Sequence, residues 1–383
     1  MSSHICHVIN NLSAGGAEQY VVQLSNYLNA SGHHVSIIAG EPQLLRERLD
    51  PGIHVETLRL HPGATRSPVA YVGILFCAVQ RLVTYFRRES VTLVHTHLAA
   101  SALPAWIAAK VCGVPVIHSK MHTEAVGSGF SRALFASRLP LLLVDRCLAF
   151  TRYSEGEMRE HWHMPSERIL RSSIGVDTTR FVLDPEATDA SRREYGLSTN
   201  DRVMLVLARL HPEKDVELAI RAARFLDDPG AVLLIAGDGP QREFLEGLAR
   251  DLSGRTRIRF LGLLQDPRPA YAAADVLLQT TRGPDLGTVV LEAMATGTPV
   301  LIAFRNVDEY KMAVNTLDGL DIGAIAKATP EAMAAALRGL FADPSRLQAL
   351  RNEVRAFVEH RHSRRVVYPE MAESYSSLEN QTC

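Results

Sequence analysis

The 383-residue chain is short of several things, and each shortage removes a class of protein. It has five cysteines, Cys6, Cys77, Cys112, Cys147 and Cys383. They are scattered, odd in number and form no CxxC pair, which excludes a disulfide framework and a zinc ribbon. Charge of one sign is lacking too. With 41 basic and 42 acidic residues, nothing in the net charge pulls the chain toward nucleic acid or anionic lipid. Long apolar runs are missing. The apolar, charge-free stretch Ser67–Gln80 ends at Arg81 after 14 residues, too short to span a bilayer. Residues 1–10 have no basic region ahead of an apolar core, so a reduced, cytoplasmic protein is expected. No GxGxxG follows the first apolar run, which argues against a nicotinamide dehydrogenase.

What is present is a globular composition, 46% hydrophobic and 22% charged, at a length suited to two domains. Residues 1–180 hold 17 basic and 13 acidic side chains, while residues 181–383 hold 24 and 29. The mildly basic first part is compatible with an anionic ligand or surface. Short apolar runs such as His4–Asn10, Val35–Ala39, Thr92–His95 and Val114–His118 read as buried strands. Helical periodicity separates them, for example over Ala17–Ala30, Tyr71–Arg88 and Ala99–Val111. A polar stretch, Asp177–Asp201, interrupts the pattern and reads as a linker. The alternation restarts with the strand Val203–Leu207 and the helix Asp215–Leu226, and Pro330–Glu359 reads as helix throughout. Such alternation predicts α/β domains built on parallel sheets, two in tandem. The expected boundaries are 1–180, a linker over 181–201, and 202–359. Ligands in such domains bind beyond the carboxyl ends of the strands, and the cleft between two domains is the default site.

Three segments carry chemistry. Ser13–Glu18 follows a strand and opens a helix. Gly15 and Gly16 there let backbone N–H groups approach an anion at the positive end of the helix. Arg209 and Lys214 lie five residues apart where another strand gives way to a helix at Pro212. A guanidinium fork and an ammonium at that edge suit a diphosphate. The third segment, Leu286–Val300, reads as loop, helix, Gly297 stop and strand. Its apolar helix carries a single carboxylate, Glu292, which is costly to bury unpaired. Thr288 and Glu292 share one helical face, and a carboxylate there can accept from a ribose diol.

At these residues the sequence resembles the retaining glycosyltransferases of the GT-B fold, group 1 (family 4), over nearly the whole chain. Gly15-Gly16-Ala17-Glu18 is similar to that family's GGAE loop, and Val94-His95-Thr96-His97 to its strand ending in HxH. Gly175–Phe181, Arg209–Lys214, Ala236–Pro240, Phe260–Gly262 and Leu291–Pro299 match its GVDxxxF, RLxPEK, AGDGP, FLG and LEAMAxGxP elements. The resemblance implies two Rossmann-like domains facing across a cleft. The first would bind the acceptor, and a tail helix over 360–383 would pack back on it, with the last residues frayed. The second would bind the nucleotide sugar.

It also implies roles. Arg209 and Lys214 would hold the diphosphate and stabilise the leaving group. Glu292 would hold the ribose hydroxyls, and Gly287, Thr288 and Val289 would meet sugar and phosphate. Leu264 would lie by the base, and Gly16 would approach the diphosphate. A histidine would touch the donor sugar. His122, followed by Thr123, fits that place better than His118. The family's first Glu of E-x7-E is Pro284 here. Either the neighbouring Asp285 stands in, or the contact to the donor sugar has changed.

The expected reaction moves a hexose-type sugar from a nucleotide-diphosphate donor, UDP before GDP, to a glycan, lipid-linked or small-molecule hydroxyl. No metal or other cofactor is expected. His95-x-His97 offers ligand spacing but reads as strand-end histidines lining the cleft. The apolar segments Tyr71–Arg88 and Phe130–Leu143 could rest on the inner face of a membrane. Two rivals remain at this stage: a non-catalytic GT-B-fold subunit of a glycan-assembly complex, for which Pro284 speaks, and a UDP-sugar epimerase.

Overall fold

The computed structural model describes residues 3–13, 15–60, 68–120, 139–182, 184–282, 287–316 and 323–382. The chain divides into two compact units, Met1–Gly175 with Arg365–Cys383, and Val176–Arg364.

The first unit is built on seven strands: β1 (His4–Asn11), β2 (His34–Gly40), β3 (His54–Thr57), β4 (Leu93–His97), β5 (Val116–Lys120), β6 (Arg146–Ala149) and β7 (Ile169–Arg171). They form one parallel sheet in the order β3-β2-β1-β4-β5-β6-β7. Its inner strands are buried almost without a break because helices cover both faces, although they carry histidines such as His7, His95 and His118. One face packs on the helices Pro68–Arg88 and Ala99–Cys112 through Leu82, Phe86 and Trp106. The other packs on Gly16–Ala30 and on the terminal helix Arg364–Thr382 through Tyr20, Leu24, Tyr368 and Tyr375.

The second unit repeats the plan with β8 (Arg202–Leu207), β9 (Ala231–Ala236), β10 (Arg257–Gly262), β11 (Val276–Gln279), β12 (Val300–Phe304) and β13 (Gly323–Lys327). All pairs are parallel, in the order β10-β9-β8-β11-β12-β13. In both sheets the strand order reverses once, between β1 and β4 and between β8 and β11. Two Rossmann-like sheets are thus present, and each has one topological switch point where loops diverge and leave room for a ligand.

Several sequence expectations change. The presumed linker holds the helix Pro185–Glu194, capped by Asp184, and Arg192 of that helix forks onto Asp275 at 2.8 and 2.9 Å. The expected helix Pro330–Glu359 is two helices, Pro330–Ala342 and Pro344–Arg361. Proline at 344 cannot continue the first, and Asp343 caps the second. The tail expected to fray continues the helix to Thr382: Leu378 is buried, and Glu379 accepts from Ser3 and Thr92. No helix among the described residues is long and apolar enough to cross a membrane.

Candidate active site

The chemistry-bearing segments of the second unit converge on its switch point. Ala208–Lys214 leaves the carboxyl end of β8, and residues 280–282 leave the adjacent β11. The two loops are tied together: Thr280 Oγ1 donates to the Lys214 carbonyl at 2.8 Å, and the Arg282 amide donates to the Glu213 carbonyl at 2.8 Å. Arg209 is exposed and pairs with Glu213 Oε1, its i,i+4 partner, at 2.7 Å. Burial opposes ionisation of Glu213, but the Arg209 bond and the Lys214 charge outweigh it and hold the carboxyl below its usual range. The Lys214 side chain is half-buried.

Asp215 adopts a left-handed backbone, with φ 47°. Its carboxylate accepts from Arg305 Nη2 at 2.6 Å and from Arg282 Nε at 3.2 Å. Arg305 also donates to the Thr280 and Thr281 carbonyls, so one guanidinium joins the ends of β12 and β11 to the turn that carries Lys214. Arg305 and Arg282 escaped the sequence reading because nothing local marks an arginine that will pair with an acid 90 or 67 residues away.

The third wall is the turn after β9. A Cβ on Gly237 would lie 1.9 Å from the Ala208 carbonyl oxygen, so only glycine allows this turn to press against the Arg209 loop. Leu210 N–H donates to the Asp238 carbonyl at 2.9 Å across that contact. Gly262 ends β10, and Leu263 and Leu264 follow it on the same sheet edge, with Leu263 largely exposed.

Gly287, at φ 73°, precedes the short helix Thr288–Ala295. Thr288, Val289 and Glu292 are each half-buried on it. Among the described residues, no arginine bonds Glu292 directly. Its Oε2 accepts from the Tyr271 hydroxyl at 2.9 Å. Burial pushes its pKa above the usual carboxylate range, and the Tyr271 bond and the charges of Arg180 and Arg364 restrain that rise.

In the first unit, Gly15 is half-buried and Gly16 exposed at the start of the helix Gly16–Ala30, after β1 at the other switch point. Ser13 Oγ donates to Glu18 Oε1 at 3.1 Å, folding that buried carboxylate against the turn. The histidines depart from expectation. His95 and His97 do not line an open surface: both are fully buried. His95 bonds Tyr375 at 2.6 Å and Ser119 at 2.7 Å, and His97 Nε2 meets His7 Nδ1 at 3.0 Å.

Among the described residues, His7, His95 and His97 are the one group whose ligand-type atoms gather within 4.8 Å. Burial keeps all three imidazoles neutral, with His7 pushed down to about 3. His118 is buried between Trp106 and Trp162, bonds Thr96 Oγ1 at 2.9 Å and is pushed down to about 3, a core role. His122, Pro284, Asp285 and Leu286 lie outside the described residues.

Two family models match in succession: Glycosyltransferase Family 4 over residues 14–180 and Glycosyl transferases group 1 over residues 187–357. Among curated relatives, the D-inositol 3-phosphate glycosyltransferase of Thermobispora bispora is 28% identical, covering 88% of this chain and 84% of its own length. The enzyme of the same name from Rhodococcus opacus is also 28% identical, covering 91% and 82%. Solved structures share the architecture. A glycosyltransferase from Rickettsia africae superposes with a TM-score of 0.81 at 18% identity, covering 98% of each chain. Anabaena HepE in complex with UDP gives 0.79 at 18%, covering 99% and 100%. The chain therefore belongs to the group 1 glycosyltransferases and has their GT-B fold.

Proposed function

We propose that this glycosyltransferase uses a UDP-sugar, transfers a hexose-type sugar with retention of anomeric configuration, and needs no metal for the leaving group. The observation that carries the reading is the switch point of the second sheet. There Arg209, Lys214 and the start of the helix Thr288–Ala295 issue from neighbouring strands, with Glu292 one turn further on. Cleaving a glycosyl–phosphate bond leaves a diphosphate with growing charge. Fixed cations and backbone N–H groups aimed at that charge stabilise it without reorganising. Arg209 and Lys214 supply the cations, and the amides of Thr288 and Val289 supply donors at a helix start. Glu292 receives the ribose, and the backbone near Leu264 meets the base. UDP in the HepE complex supports the choice of base.

In the first unit the amides of Gly15 and Gly16 suit an anionic group; His122 remains the proposed contact to the donor sugar, and Asp285 the proposed stand-in for the acid replaced by Pro284. The relatives' name favours a small phosphorylated polyol as acceptor over a glycan or lipid-linked one. The membrane-surface reading of the apolar helix Pro68–Arg88 rests on its exposed Val72 and Phe76.

The test is a transfer assay pairing UDP-glucose, UDP-N-acetylglucosamine and GDP-mannose with inositol phosphates, the product anomer being read by proton NMR. Lys214→Ala should lower turnover at least a hundredfold, and Glu292→Ala should raise the donor KM about tenfold. Unchanged kinetics in both variants would remove the site. An inverted product would remove the mechanism.

A further inference from the structure

Glu292 presents a problem that its own helix does not solve. A carboxylate drawn out of water on a helix whose Val290, Leu291, Ala293 and Met294 are all buried tends to protonate, and a protonated acid is a poorer acceptor for sugar hydroxyls. The solution comes from elsewhere in the unit. Tyr271, on the helix Arg268–Ala273, is fully buried, and its hydroxyl reaches Glu292 Oε2. Its ring meets Phe181 edge-on at 6.1 Å, and its carbonyl accepts from Thr298 Oγ1 at 3.0 Å, so the ring and its hydroxyl have a fixed position. Phe181 is fixed in turn, because Arg355 donates both to its carbonyl and to that of Ala295, at the end of the helix bearing Glu292. Glu292 Oε1 makes no hydrogen bond among the described residues.

We propose that Tyr271 is a positioning residue for the nucleotide site: its hydroxyl pins one oxygen of Glu292, keeps the carboxylate in its accepting form and leaves the other oxygen to the ribose. The inference rests on the assignment of Glu292 to the ribose. The charged groups bearing on this carboxylate are Arg180, from the segment that opens the second unit, and Arg364, from the segment that closes it. Tyr271 is the group in direct hydrogen-bond contact. Its own ionisation is pushed far upward by burial and by Glu292, so it stays a donor across the working range.

The experiment measures UDP binding by calorimetry from pH 5.5 to 8 in the wild type, Glu292→Ala, Tyr271→Phe and a form with fluorotyrosine at 271. Glu292→Ala should weaken UDP about tenfold and abolish the acid limb of the binding curve. Tyr271→Phe should weaken UDP about five- to tenfold at pH 7 and move the acid limb to higher pH, with the donor KM raised and kcat held within about twofold. Fluorotyrosine, a stronger donor of the same shape, should move the limb the other way, and it carries the test if the phenylalanine variant fails to fold. An acid limb unmoved by either change while Glu292→Ala still weakens binding overturns the role of Tyr271. Unchanged binding in Glu292→Ala overturns the ribose assignment itself.

Discussion

Acid should unfold the first unit well before it titrates the carboxylates that hold the second. His7 and His118 are fully buried in the first unit, and burial lowers both from 6.5 to about 3. The unfolded chain therefore binds protons near pH 6.5 that the folded chain refuses until about pH 3. Stability is fully present above pH 6.5 and drains away as the pH falls toward 3. Between pH 7 and pH 5 each such group costs about 2 kcal/mol, and the two together about 4 kcal/mol, a large part of the ~5–15 kcal/mol that holds a domain. His95 and His97 are lowered in the same direction and add to the loss.

The assay is built into the molecule. Both tryptophans, Trp106 and Trp162, lie in the first unit and flank His118, with ring centroids at 5.0 and 5.9 Å. Urea unfolding followed by tryptophan fluorescence thus reports this unit alone. Asp177 and Asp228, whose lowered pKa values would also favour higher pH, sit in the second unit and are silent in that signal. His118→Gln cannot titrate and should remove about 2 kcal/mol of the pH dependence. An unfolding free energy that stays flat from pH 7 to pH 5, or a slope that His118→Gln leaves untouched, would refute the reasoning.

Two further substitutions test how the units are held. Gly237→Ala puts a methyl into the Ala208 carbonyl and should cost about 2–3 kcal/mol. Calorimetric melting should register that loss, and UDP affinity should fall with it, since the displaced strand end carries Arg209. Leu378→Ala, on the terminal helix, should destabilise the first unit by about 2–4 kcal/mol, visible as an earlier tryptophan transition. No effect there would mean that the helix adds little to the unit it lies on.

Much of the architecture is legible because it is written locally. VMLVL and AVLLIA can be nothing but buried strands, and the turns that follow them carry glycine or proline. Elements with weak apolar patterns escaped. The helix Arg152–Glu160 buries only Met158, and what starts it is the reciprocal pair of bonds between Thr151 and Ser154, a signal of two residues inside a polar run. Asp343-Pro344, by contrast, was a readable stop inside a long helical pattern, and apolar periodicity on either side masked it.

The same division runs through the site, and it has a physical cause. Arg209, Lys214 and Glu292 sit in segments whose backbone is set by neighbours in sequence, so a motif finds them. What makes them usable is set by contact across the fold: Tyr271 for Glu292, Arg305 for the turn after Lys214. The histidines make the point most sharply. Strand alternation already requires His95 and His97 to share one face of β4, and it pairs His95 with His7 on β1. Whether that face meets solvent or core is decided 280 residues later, where Tyr375 closes over His95. A reading confined to local pattern gives such histidines the freedom of a strand end. The returning helix buries them instead, so they act first through stability, and the acid sensitivity of the first unit is the consequence.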